Sequence, residues 1–516
     1  MSSSDSDSDA SAPLELPGRL PQAHKSRALD EKRSSEILAM VRDGLKRADD
    51  VARASKAAAS VAKREDDVGA LLGDLASLRV DDGTRPITRV STPPPIQGKT
   101  KSLATPEPFV REVEVEEEVQ KPKVGLVYDD FMEAHELVGH FECPARHRVV
   151  VNEFKADGLA MQCVRLASRE ATDEELMRAH SKAHVDAVRD AFDPSGAAVQ
   201  VATRDDDTGD DIFFTKDTSA GARMAAGCVA EACQAVVRGD IQRAYCVVRP
   251  PGHHAHCAQA MGFCFFNSAV VAARAALACE GIEKVCILDW DVHHGDGVQD
   301  LTLDDDSILY VSLHRYGDGF YPGTGAAEEI GKNGTNVNVG WREKGLGDAD
   351  YLAAFDLVIE PVVRSFAPDL IIIAAGYDAA EGDPLGGMML SPNGYEHMTT
   401  RLCAIGSGRV VVALEGGYAL RPLATSAAAT LRALLGETPR ALSSRQRPRK
   451  TSVKLLTDLA ALLADHWPVL KSEEHAEKFR AALKNTTVVA SRRNDGYPSG
   501  RRTSGSNSMS STVTTI

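Results

Sequence analysis

No Cys-x-x-Cys pair occurs in this sequence, although it holds ten cysteines. That spacing argues against a structural zinc finger. The cysteines run from Cys143 to Cys403 and are scattered through apolar stretches, the pattern of reduced core thiols in an intracellular protein. No uninterrupted apolar run approaches ~20 residues, so no membrane-spanning helix is expected. Positive charge is short as well: 59 Lys and Arg stand against 74 Asp and Glu, a formal charge of −15. Direct nucleic-acid binding rests on a basic footprint that this balance does not offer. The N-terminus, MSSSDSDSDA, lacks the basic and apolar regions of a signal or transit peptide. No internal repeat is found. The expectation is an intracellular protein, nuclear and/or cytoplasmic, with no membrane partner.

Composition divides the chain. Residues 1–123 read as a low-complexity extension, opening on a Ser/Asp/Pro-rich stretch that buries too little to fold. Within it, Ile37, Val41, Leu45, Ala48, Ala52 and Ala59 recur at helical spacing, which predicts a weak helix at about 29–80. Residues 81–123 follow as a Pro-rich and acidic linker. From 124 to 487 short apolar runs alternate with helical patterns. YCVVRP (245–250), KVCILDW (284–290), LIIIAAGYD (370–378) and RVVVALEGGY (409–418) read as buried parallel strands. SAVVAARAALA and DADYLAAFDLVIEPVVRSF read as helices between them, and VKLLTDLAALLADHWPVL (453–470) as a last helix on the same domain. This alternation argues for an open α/β sheet with helices on both faces. Residues 488–516 are a Ser/Arg/Asn-rich tail.

Ligands in such sheets bind beyond the carboxyl ends of the strands. Polar chemistry collects there after all four runs: His253 and His254, then DWDVHHGDG, then Asp378, then Glu415 and Tyr418. Asp289, Asp291 and His293 alternate, and on an extended chain such side chains point the same way. Carboxylate and imidazole suit Zn²⁺ or another divalent ion, and Asp378 from a neighbouring strand would supply a further carboxylate. The alternative for this cluster is a strand-end turn whose Asp side chains cap backbone amides. His253 and His254, fixed on a Pro-Gly turn and exposed at a strand end, suit general acid and base, with Asp289 and Asp296 as partners that set their tautomers. Two surface histidines are the plainer reading of that pair. Tyr418, after Gly416 and Gly417, can donate to a developing oxyanion, or simply pack after a turn. Phe263 and Tyr321 lie in Gly/Pro-rich turns and would wall a narrow apolar slot. His294 is left without a role.

Taken in order, RPPGHHA, GFCFFNS, DWDVHHGDG, VSLHRY, GYDAAEGDPLGG and LEGGY resemble the motifs of class II histone deacetylases. The resemblance runs from about Gly125 to the last helix. It implies an arginase-like fold, a single open and mostly parallel sheet flanked by helices. It also implies zinc-dependent hydrolysis of acetyl-lysine in histones or other proteins, with corepressor-type protein partners. Asp291, His293 and Asp378 would bind zinc. His253 and His254 would be the acid/base pair, supported by Asp289 and Asp296, and Tyr418 would polarise the acetyl carbonyl. Phe263 and Tyr321 would flank the substrate tunnel, with Gly262 accepting from the substrate amide. A structural potassium would sit on Asp289, Asp291, His293, Ser312 and Leu313, and a second near Thr302, Asp305, Ile308 and Thr335. Leu385 stands where the polyamine-deacetylating branch has Glu, which favours protein lysine. Phe141 replaces a usual Pro, and His256 a usual Glu after HHA; both are expected at the rim, where they bear on substrate preference. A small-molecule deacetylase of the same fold, or a weakly catalytic scaffold, are the competing expectations.

Overall fold

The computed structural model describes residues 121–191, 199–202, 211–443 and 446–487. The weak helix expected at 29–80, nearly all of the linker and the tail lie outside the described residues. Along the described chain the strands are β1 (Val124–Tyr128), β2 (Val164–Arg165), β3 (Val199–Ala202), β4 (Asp211–Phe214), β5 (Arg243–Val247), β6 (Val285–Asp289), β7 (Ile308–Arg315), β8 (Asn336–Trp341), β9 (Leu370–Ala375) and β10 (Val410–Leu414). Eight of them form one sheet, ordered β2-β1-β5-β10-β9-β6-β7-β8. Every pairing in it is parallel. β3 and β4 form a separate antiparallel pair.

The four strands expected from apolar runs, β5, β10, β9 and β6, are contiguous at the centre of the sheet. Central parallel strands are covered on both faces and so need apolar side chains throughout. In β9, Ile371 and Ile373 face one core while Leu370 and Ile372 face the other. The main helices, in chain order, are α1 (Pro144–Ala156), α2 (Thr218–Val237), α3 (Ser268–Leu277), α4 (Asp296–Thr302), α5 (Asp348–Ala354), α6 (Glu360–Phe366), α7 (Pro392–Cys403), α8 (Leu420–Leu434) and α9 (Lys450–Leu463). α2 and α3 close one core; α1 and α5 to α9 contribute Val150, Tyr351, Val362, Met398, Leu431 and Leu456 to the other.

The helix expected over DADYLAAFDLVIEPVVRSF is interrupted. A π turn at Phe355–Ile359 separates α5 from α6. Pro361 has no N–H to give to the preceding turn and crowds the carbonyl four residues back, and the widened turn absorbs both defects.

Candidate active site

The loops after β5, β6, β9 and β10 meet at the carboxyl edge of the sheet. β6 ends at Asp289, and the chain beyond it is bent, not extended. Each bend is held by a carboxylate on a nearby amide: Asp291 N–H donates to Asp289 Oδ1 at 3.0 Å and His293 N–H to Asp291 Oδ1 at 2.9 Å. This corrects the alternation expected from an extended strand. Asp289 does not point with Asp291 and His293. Its Oδ2 faces His253 Nδ1 at 3.0 Å and accepts from the Tyr310 hydroxyl at 3.1 Å.

Asp291, His293 and Asp378 do converge. His293 Nδ1 lies 3.0 Å from Asp291 Oδ1 and 3.0 Å from Asp378 Oδ2, and all three residues are buried. Val292 N–H donates to Asp378 Oδ1 at 2.7 Å and Gly416 N–H to Asp291 Oδ2 at 2.8 Å. A Cβ on Gly376 would collide with Asp291, and one on Gly416 with both Asp291 and Asp378. These glycines leave room for the carboxylates.

The electrostatics of the trio fit a cation. Burial opposes charging His293, but hydrogen bonds to Asp291 and Asp378 outweigh it and push its pKa up to about 10. Burial and the neighbouring Asp291 push Asp378 up to about 7. Burial opposes ionisation of Asp291 too, yet His253 and His293 hold it well below the usual carboxylate range. Both carboxylates compete for one imidazole nitrogen, which carries at most one proton. A divalent ion among the same three donors satisfies both carboxylates and leaves the imidazole neutral.

The histidine pair sits beside this trio. It was expected to be exposed, but His253 and His254 are only 3% and 4% exposed. Tyr321 stands edge-on to His254 with ring centroids 5.1 Å apart, and Gly262, at φ 54°, lies so close that a Cβ would touch the His254 ring. His254 Nδ1 lies 2.7 Å from Asp296 Oδ1. Each imidazole therefore has a carboxylate on Nδ1, as expected. Burial, and then the neighbouring His253, pushes His254 down to about 4. Burial also opposes charge on His253, but Asp291 and Asp289 outweigh it and raise its pKa well above the ordinary value.

Half-buried aromatic rings stand around this polar floor. Phe263, at φ 68°, meets Tyr418 edge-on at 6.0 Å, and Phe141 also meets Tyr418 edge-on at 6.3 Å. Phe320, which the sequence did not single out, stacks on His293 at 5.1 Å with planes 7° apart; Tyr321 is edge-on to the same ring at 6.2 Å. Arg315 lies over Phe320 at 3.8 Å. Leu385 is half-buried in the loop after β9. Ser312 pairs in register with Asp289 and precedes Leu313 on β7. The Thr335 carbonyl already accepts from Tyr310 N–H, and Thr302, Asp305 and Ile308 follow one another through hydrogen-bonded turns. His294 is taken up by Thr324 at 2.8 Å and Gln299 at 3.1 Å, a packing role.

Two supports of Tyr418 were missed by the sequence reading. Asp383 accepts from the backbone N–H of Tyr418 and Ala419 on one oxygen and of Leu385 and Gly386 on the other. Arg146 lies over the Tyr418 ring at 5.2 Å, donates to the Gly417 carbonyl at 2.6 Å and also binds the Glu415 carbonyl. Asp383 was visible as the polar residue of a Gly-Asp-Pro turn; nothing local in the sequence marked Arg146. Asp383→Ala strands four buried or partly buried amides and is expected to cost about 2 kcal/mol. Denaturant midpoints and faster amide exchange at Tyr418 and Leu385 will report it; unchanged exchange there sinks the assignment.

The histone deacetylase domain family matches residues 140–434. Histone deacetylase 15 of Arabidopsis thaliana is 41% identical over 346 residues, covering 64% of this chain and 59% of that protein. Polyamine deacetylase HDAC10 of Homo sapiens is 37% identical over 361 residues, covering 68% of this chain and 54% of that protein. The chain thus spans a little over half the length of these curated relatives. The crystal structure of the HDA15 HD domain superposes with a TM-score of 0.63 at 38% identity, covering 70% of this chain and 99% of that one. Among the described residues no helix is long and apolar enough to cross a membrane.

Proposed function

Since the chain belongs to the histone deacetylase family, we propose that it hydrolyses the acetamide of N-acetyl-lysine in histones or other proteins. The observation that carries this reading is the convergence of Asp291, His293 and Asp378 beside a carboxylate-held histidine pair, under a ring of half-buried aromatics. Asp291, His293 and Asp378 would hold a zinc ion, which when bound supplies a Lewis acid and lowers the pKa of water toward ~7.

The chain's own residues supply the rest. The carboxylates of Asp289 and Asp296 keep a proton on Nδ1 of each histidine and leave Nε2 for proton transfer. The pair takes a proton from the attacking water and delivers one to the leaving lysine amine. Tyr418, held by Asp383 and Arg146, donates its phenol to the acetyl oxygen as that oxygen gains charge. Phe263, Phe320 and Tyr321 exclude water around the alkyl chain, and Gly262 accepts from the substrate amide. A structural potassium would be held by Asp289, Asp291, His293, Ser312 and Leu313. Corepressor-type partners, a role in chromatin and a nuclear or cytoplasmic location belong to the same reading.

The similarity to a polyamine deacetylase favours a second reading, an acetylpolyamine substrate. Leu385 argues against it, since an apolar side chain offers nothing to an internal cation. Protein of measured zinc content, offered an acetyl-lysine peptide and an acetylpolyamine, separates the two. The peptide is expected to turn over faster, and Tyr418→Phe to lower kcat by about 10²- to 10³-fold, the loss typical of one oxyanion donor. No turnover of either substrate by zinc-loaded protein ends the deacetylase reading.

A further inference from the structure

His256 was expected at the rim, where it would touch only substrate preference. The structure also joins it to the carboxylate that supports His254. α4 places Asp296 and Asp300 four residues apart, on one face of the helix. His256 spans them: its Nε2 is 3.4 Å from Asp296 Oδ2 and its Nδ1 is 3.1 Å from Asp300 Oδ2. The other oxygen of Asp296 holds His254. One carboxylate thus joins a buried imidazole to an imidazole whose side chain is 24% exposed.

Resting on the deacetylase reading above, we propose that His256 is a positioning residue: anchored by Asp300, it fixes the outer oxygen of Asp296 and so sets the carboxylate that orients His254. The geometry selects one ionisation state. Both ring nitrogens of His256 face carboxylate oxygens, which only accept, so both contacts are hydrogen bonds only in the imidazolium. Burial works against that charge, but Asp296 and then Asp300 outweigh it and raise its pKa. The other groups around it are few. His180 Nδ1 meets the His256 carbonyl at 2.9 Å, the exposed Cys257 adjoins it in the chain, and His254 lies beyond Asp296.

The sign of the effect follows. His256 is charged below its raised pKa, so its hold on Asp296 is complete at lower pH and is lost as pH rises through that value. Wild-type kcat should therefore carry an alkaline ionisation that His256→Ala lacks. In His256→Ala, kcat is expected to fall roughly tenfold, the lower end for such supporting partners, with KM unchanged. His256→Gln, which keeps one hydrogen bond to Asp296, should recover part of the rate but not the ionisation. A merely structural role would lower the melting temperature and leave the shape of the pH profile alone; that result overturns the proposal, as does an unchanged kcat in His256→Ala. Imidazole NMR on the full chain gives a readout independent of turnover. The His256 ring should titrate above an ordinary histidine and should titrate lower in Asp296→Asn and in Asp300→Asn. If the wild type turns over no acetylated substrate, the deacetylase reading fails on its own, and the NMR titration still decides the contact: a ring that titrates identically in all three proteins overturns it.

Discussion

Asp378→Ala is expected to remove bound zinc and turnover together. Asp378 is fully buried, with one oxygen on Val292 N–H and the other facing His293. Its loss would leave two of the proposed protein donors, Asp291 and His293, where a catalytic zinc site normally has three. The Lewis-acid contribution of such an ion is several kcal/mol, so kcat/KM should fall by about 10³- to 10⁴-fold. Asp378→Asn is the control for packing. It keeps an acceptor for Val292 N–H but weakens the metal donor, so it should fold as wild type and still bind little zinc. Zinc content by atomic emission, read alongside peptide turnover, checks both variants. A stoichiometric metal content in Asp378→Ala would refute the ligand assignment.

Glu142→Gln is expected to have the largest effect on stability. Glu142 is buried between two buried guanidinium groups. Its Oε1 accepts from Arg146 at 2.9 Å and from Arg249 at 2.9 Å, and its Oε2 accepts from Arg249 at 2.7 Å. Breaking a buried ion pair by removing one partner costs about 3–5 kcal/mol, because the remaining charge stays buried and unpaired. Here two cations would be left. Arg249 also donates to the His135 carbonyl at 2.7 Å, and Arg146 to the loop bearing Tyr418, so the damage should reach the candidate site. The pH dependence has a definite sign. Burial opposes ionisation of Glu142, but Arg249 and Arg146 hold its pKa well below the usual range. A group depressed in the folded state contributes stability above its unfolded pKa of about 4.3 and loses it as pH falls toward the folded value. The gap between wild type and Glu142→Gln in urea unfolding should thus be full at neutral pH and shrink in acid. A gap that is flat with pH would mean that the carboxylate charge is not the source.

The legible part of the fold was its centre. β5, β6, β9 and β10 have side chains buried on both faces, and continuous apolar runs announce that condition in one dimension. The outer strands did not announce themselves. β2 has two residues, both exposed. β8 reads NVNVGW, and its asparagines look like a solvent face, yet Asn336 and Asn338 are buried because both amides donate to Gln299 at 2.8 Å. A distant side chain takes up their N–H groups, and nothing near them in the sequence shows it.

The same division runs through the site. Asp291, His293, His253, His254, Asp378 and Tyr418 could be picked out from sequence alone because each follows a buried strand within a few residues, and an open parallel sheet gathers those ends at one edge. Their pairing was a different matter. Whether Asp289 joins Asp291 and His293 or turns to His253 depends on the bends after β6. Whether His256 touches Asp296 depends on where α4 docks. Arg146 reaches carbonyls about 270 positions away, and Asp383 holds a loop 35 positions away. Local sequence determined which groups stand at the strand ends. Tertiary structure decided which of them touch, because a hydrogen bond forms only within about 3 Å, and that distance is set by how neighbouring strands and helices pack.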